Sequence, residues 1–178
     1  MSSYRGAQRG RPKRPPGLWH DIPAGVRAAI ICIGPLIAIF IGNGLGAGIF
    51  ALTGFSMAYI CYPVQLLAYV VNGIIAGQQA DATRRAYVRY TGKPGERVQI
   101  SLPNYIMHGA LAGLCLTIFA AIVYFVGSSV LAELVPLADL IGFSTPWQFI
   151  VVDAVASISL GAVGGIIFDR MFAMPGRS

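Results

Sequence analysis

Residues 28–80 read AAIICIGPLIAIFIGNGLGAGIFALTGFSMAYICYPVQLLAYVVNGIIAGQQA, with no charged side chain between Arg27 and Asp81. A helix needs roughly 20 apolar residues to cross a hydrocarbon core about 30 Å thick, because it rises about 1.5 Å per residue. The run is therefore long enough for two passes. A second uncharged stretch, from Val98 to Ala132, has room for a third, and a fourth fits between Pro146 and Phe168, interrupted by Asp153 alone. These are continuous Ile, Leu, Ala and Val runs, not the short alternating segments of a membrane β-barrel.

Composition agrees with lipid as the solvent. Of 178 residues, 56% are hydrophobic and 11% charged, against about a quarter charged in an ordinary soluble domain. The fold class expected is all-α: a multi-pass transmembrane helical bundle of about four spans, at 24–42, 49–77, 104–131 and 147–169, within a membrane domain of residues 23–170. Outside it lie a basic tail (1–22), a basic loop (78–103) and a short tail (171–178). The first tail scatters Arg5, Arg9, Arg11, Lys13 and Arg14 among Gly, Pro and Ser, which bury too little apolar surface to fold alone, so it is expected disordered or held by a partner. The Ala24 to Ile41 run exceeds a signal-peptide core and leads straight into another span, so it reads as a retained first helix.

Local signals place the ends. Pro23 suits a first helical turn and Asp21 the positive helix N-terminus. Four glycines between Gly42 and Gly48 predict a tight reversal there. Pro63 predicts a kink in the second span. Ala80 to Tyr90 is able to continue that helix until Gly92, Pro94 and Gly95 break it, with Tyr87 and Tyr90 at headgroup level.

The charges then sort by side. All thirteen lysines and arginines lie in, or at the edge of, the two tails and the 78–103 loop, whereas the opposite connections carry Glu133 and Asp139. Lysine and arginine near span ends set orientation, which places both termini on the cytoplasmic side of a cell (inner or plasma) membrane. Arg84, Arg85, Arg89, Lys93 and Arg97 are expected to meet anionic lipid headgroups, at about 1 kcal/mol each, or a partner. Topology explains these cations, and no recognition fold or aromatic-rich basic sheet argues for nucleic acid.

Small residues recur four apart at Gly73 and Gly77, at Gly109 and Gly113, and at Ser157, Gly161 and Gly165, a spacing that lines one helix face and lets backbones approach. Asp153 is the acidic residue clearly inside a span, and a carboxylate in hydrocarbon is expensive enough to be a functional candidate. Counting along each helix puts Thr53, Ser56, Tyr124 and Ser128 near its depth, so the candidate polar site is Asp153 with Tyr124, Ser128 and Ser56. Gln65 lies deeper and is expected to link helices, with Asn72 and His108 nearer the cytoplasmic face.

No pairing of carboxylates, no serine or cysteine beside a base and no metal-ligand cluster occurs at usable spacing. Cys32, Cys61 and Cys115 stand far apart without histidine neighbours and read as small apolar side chains, so neither metal nor cofactor is expected. The functional expectation is a non-catalytic accessory or structural subunit of a larger membrane complex, in contact with other membrane subunits. Its alternative is a small oligomeric transporter or channel component using Asp153.

Overall fold

The computed structural model describes residues 16–53, 58–91, 100–130 and 146–172, among which every regular element is helical. A short 3-10 turn at Leu18–His20 precedes α1 (Ala24–Thr53), α2 (Ala58–Thr91), α3 (Leu102–Val130) and α4 (Pro146–Met171). α1 starts directly after Pro23, and α3 one residue before Pro103. The Pro23 carbonyl accepts the Arg27 N–H at 3.1 Å, and the Ser101 carbonyl accepts those of Asn104 and Tyr105 at 2.9 and 3.4 Å. Pro103 falls in the first turn of α3, where its missing N–H would have no intrahelical partner.

Helices successive in the chain run in alternating directions. Arg27 near the start of α1 bonds Gln79 and Thr83 toward the end of α2, and Tyr105 near the start of α3 bonds Asp81. Along α2 and α4 the contacts advance together, from Tyr69 with Asp153 to Gly77 with Phe168, so these two are parallel. Along α3 and α4 they advance oppositely, from Tyr105 with Gly165 to Gly113 with Ser157. Both α1 and α4 pack on α2 and on α3, which sets α1 and α4 at opposite corners of the bundle.

The surface is inverted relative to a soluble bundle. Large aliphatic side chains stand exposed on every helix, among them Ile30 and Ile37, Val64 and Leu67, Met107 and Ile118, and Val151 and Val155. Arg27, Gln65, Asn72, Thr117, Asp153 and Ser157 are buried instead. Contiguous exposed apolar faces on a folded chain mark contact with membrane or protein. Two stretches, Leu102–Ile122 and Ile150–Met171, are long and apolar enough to cross a membrane, and Ala24–Ile39 is apolar but shorter.

Two expectations need correcting. The reversal at Gly42 to Gly48 does not form, because α1 runs helically through it to Thr53, and α2 begins at Ala58 instead of residue 49. A helix satisfies every backbone N–H and C=O internally, which decides the matter in apolar surroundings, whereas glycine's helix penalty is only about 1 kcal/mol per residue. At its other end α2 extends to Thr91, so the first part of the 78–103 segment continues the helix, as its sequence allows. Lys93 and Arg97 lie outside the described residues. The tail assigned to residues 1–22 is also shorter, since Asp21 accepts a hydrogen bond from Tyr87 at 2.9 Å and Trp19 stacks 5.9 Å from the Arg27 guanidinium. By contrast, α3 and α4 end within two residues of the spans read at 104–131 and 147–169.

Candidate functional site

The small-residue rows meet one another inside the bundle. A Cβ added to Gly109 or to Gly73 would run into the Gly161 carbonyl oxygen, and one on Gly113 into that of Ser157. Gly165 faces the Tyr105 carbonyl in the same way, and Gly77 lies against the Phe168 ring. Such approaches require residues without a side chain, and they bring α4 into backbone contact with α2 on one side and α3 on the other. Gly164, which the four-residue spacing did not flag, belongs to the same seam through Val70 and Gly73. These glycine faces are therefore used within the chain, not left free for other proteins.

Beside this seam lies Asp153, 2% exposed. On α2, Gln65, Tyr69, Asn72 and Ala76 recur at helical spacing and share one buried face; on α4, Asp153, Ser157 and Gly161 do the same. Parallel packing sets the two faces together. The Tyr69 hydroxyl donates to the Asp153 carboxylate, 2.8 Å from Oδ1 and 2.9 Å from Oδ2. The Gln65 amide donates to Oδ1 at 3.1 Å and to the Tyr69 hydroxyl at 2.6 Å, closing a triangle across two helices. One turn along α4, Ser157 hydrogen-bonds Thr117 of α3 and donates to the Ala154 carbonyl at 3.1 Å. Buried hydroxyls and amides bonded in this way fix the rotation of each helix, because turning any one would orphan its partners.

The structure thus supplies Asp153 with partners other than those expected by depth. Ser56 lies outside the described residues, and of Tyr124 and Ser128 only the helical backbone is described. The displacement follows from α2 beginning at Ala58: Gln65 occupies the level that a helix starting at residue 49 would give to Ser56, and Tyr69 lies one turn further along. Tyr69 carried a signal that went unused, since it stands one helical turn from Gln65. Two polar groups on this side stay unmatched: Gln65 Oε1, and both side-chain atoms of the fully buried Asn72.

At the end of the bundle where α1 and α3 begin, a second polar cluster surrounds Arg27, which is 0% exposed. Its Nη2 donates to the Gln79 carbonyl at 2.9 Å and to the Thr83 hydroxyl. Its Nη1 donates to Gln79 Oε1 at 3.2 Å and approaches His20 Nδ1 at 3.5 Å. Nε has no partner. The nearby carboxylate of Asp81 is engaged elsewhere, by Arg85 at 3.3 Å and by the Tyr105 hydroxyl at 2.5 Å. Of the other loop cations, Arg84 and Arg89 are exposed on the last turns of α2. Comparison with known proteins leaves the site to be read from its own chemistry, because no protein-family model, no curated protein and no solved structure matches this chain.

Proposed function

We propose that this chain is a non-catalytic integral membrane protein of four spans with both termini in the cytoplasm, serving as an accessory or structural subunit of a larger membrane complex. The observation that carries the reading is the inverted bundle: aliphatic side chains outward on all four helices, and inside a carboxylate whose oxygens are taken up by Tyr69 and Gln65. Backbone contact along α4 packs the interior closely, which suits a scaffold better than a conduit. Because the glycine faces are consumed internally, a partner would meet the outer aliphatic faces, such as the one carrying Leu67 and Val71.

The test is mild detergent extraction of tagged protein from its native membrane, followed by native-mass sizing and identification of companions. Stoichiometric companion proteins, released when Leu67 and Val71 are both changed to Ser, support the proposal. A homogeneous self-oligomer without companions overturns it. Tags at either end, probed with a membrane-impermeant label on sealed and opened vesicles, test the orientation: labelling of both from the same side is required.

A second reading, a small oligomeric transporter or channel component using Asp153, draws on the unmatched Gln65 Oε1 and Asn72 amide, which water or a permeating cation would satisfy. Ion flux into liposomes that is lost in Asp153→Asn would favour it over the scaffold.

A further inference from the structure

Arg27 is the charge that scaffolding leaves unexplained. A buried guanidinium is expensive unless an anion accompanies it, yet among the described residues its four hydrogen bonds run to Gln79, Thr83 and His20, none of them a carboxylate. It forms part of the wall of an open cavity of about 600 Å³, within the range of about 300–1,000 Å³ typical of small-molecule pockets.

The rest of the wall points to negative charge. Ser101 and Asn104 offer side-chain donors, Arg84 adds a second guanidinium, and His108 lines the cavity with a buried Nδ1 that has no partner among the described residues, whereas the Thr83 hydroxyl is already engaged, donating to the Gln79 carbonyl and accepting from Arg27. The first turns of α1 and α3 both border the space, at Ala24 and at Ser101 to Asn104. The first N–H groups of α1 lack intrahelical acceptors, and both helices begin here with the positive end of their dipoles, although the Asn104 N–H of α3 is itself bonded to the Ser101 carbonyl, so two such ends beside a guanidinium favour an anion. Asp21 is the carboxylate in the wall, and it accepts a hydrogen bond from Tyr87. That bond holds the Tyr87 phenol above its ordinary pKa.

We propose that this cavity binds a phosphate-bearing anion, held by the Arg27 guanidinium together with the Ser101 and Asn104 side chains and the first turn of α1. Phosphate suits the wall because it offers several oxygens to donors converging from α1, α2 and α3, where a carboxylate offers two. The source is either the headgroup of an anionic phospholipid or a soluble phosphate. The headgroup follows if α1 and α3 begin at a membrane surface, as in the topology proposed above; the anion chemistry does not depend on that topology or on companions.

The experiment uses the full chain, purified and delipidated in neutral detergent, with binding read by native mass spectrometry. Probes are short-chain phosphatidic acid, the matching phosphatidylcholine, and inorganic phosphate as competitor. Phosphatidic acid is expected to bind once per chain, and Arg27→Gln to weaken it about tenfold or more. Ser101→Asp keeps a residue favoured at a helix N-cap while placing a carboxylate beside the cavity, so it separates loss of the site from loss of the fold and is expected to weaken binding similarly. Binding that inorganic phosphate does not displace identifies a lipid ligand, and displacement identifies a soluble one; either upholds the site. Absence of binding by both, equal binding of phosphatidylcholine, or binding unchanged in both variants overturns it.

Discussion

The two helices at opposite corners are held by different means. α4 meets its neighbours backbone to backbone: an added Cβ at Gly161, Gly164 or Gly165 would run into the carbonyl of Gly109, Val70 or Tyr105. α1 meets them through small and medium side chains, Ala24, Ala28, Ala29, Cys32 and Leu36, with Gly25 as its close approach, while Gly34 has nothing within 4 Å. Their buried charges differ in the same sense. Asp153 is closed off by two donors, whereas Arg27 keeps an unpartnered Nε and faces a cavity. The contrast separates a corner whose geometry admits no alternative from one in which side chains can adjust around a ligand.

The largest effect should come from filling the α4 seam. Overpacking usually costs about 1–3 kcal/mol, but at Gly161 the obstructing group is a backbone carbonyl of α3, which moves only if the helix moves. Gly161→Leu is expected to lose about 3 kcal/mol or more, read as loss of a monodisperse peak on size exclusion after graded heating in detergent. Gly164→Ala should fail in the same direction toward α2. A Gly161→Leu chain melting with the wild type would remove the distinction between the corners.

Next come the buried charges. Asp153→Leu leaves the Tyr69 hydroxyl and the Gln65 amide without their acceptor, and an orphaned buried donor costs about 1–3 kcal/mol. Asp153→Asn retains an acceptor, so its loss should be near 1 kcal/mol on the same scale. At the opposite corner the sign of the reasoning changes. Replacing a buried charge by an apolar side chain of similar volume is often neutral or stabilising, and Arg27 has no carboxylate partner to strand. Arg27→Met is expected within about 1 kcal/mol of wild type in delipidated protein, checked by the same melts. Equal losses at Asp153→Leu and Arg27→Met would mean that both charges are structural in the same way.

The regions that proved legible in the sequence are those where local chemistry admits one reading. Glycines four apart share a helix face whatever the tertiary structure, and the places of α3 and α4 were visible from the uncharged stretch Val98 to Ala132 and from Pro146. The α1–α2 connection was not, because glycine suits a turn and also tolerates a helix, and local pattern does not say which condition prevails. That ambiguity displaced the start of α2 by several residues, and so Gln65 and Tyr69 were not placed at the depth of Asp153. Arg27 was read as one more cation at a span edge, since burial beneath His20 and Thr83 depends on how three helices meet.

The smallest effect should come from Gly34→Ala, and it bears most directly on what surrounds α1. Ala in place of Gly in a helix gains up to about 1 kcal/mol, but Pro35 follows, and its ring disfavours helical backbone for a preceding residue that carries a Cβ. The two effects oppose, and with no atom within 4 Å of the new methyl the purified chain should melt within about 0.5 kcal/mol of wild type. A loss comparable to Gly164→Ala in purified protein would show that this face is covered in solution by a second copy. A variant that is normal when purified but loses companions on extraction from native membrane would locate the partner on α1, the corner that the glycine seam leaves open.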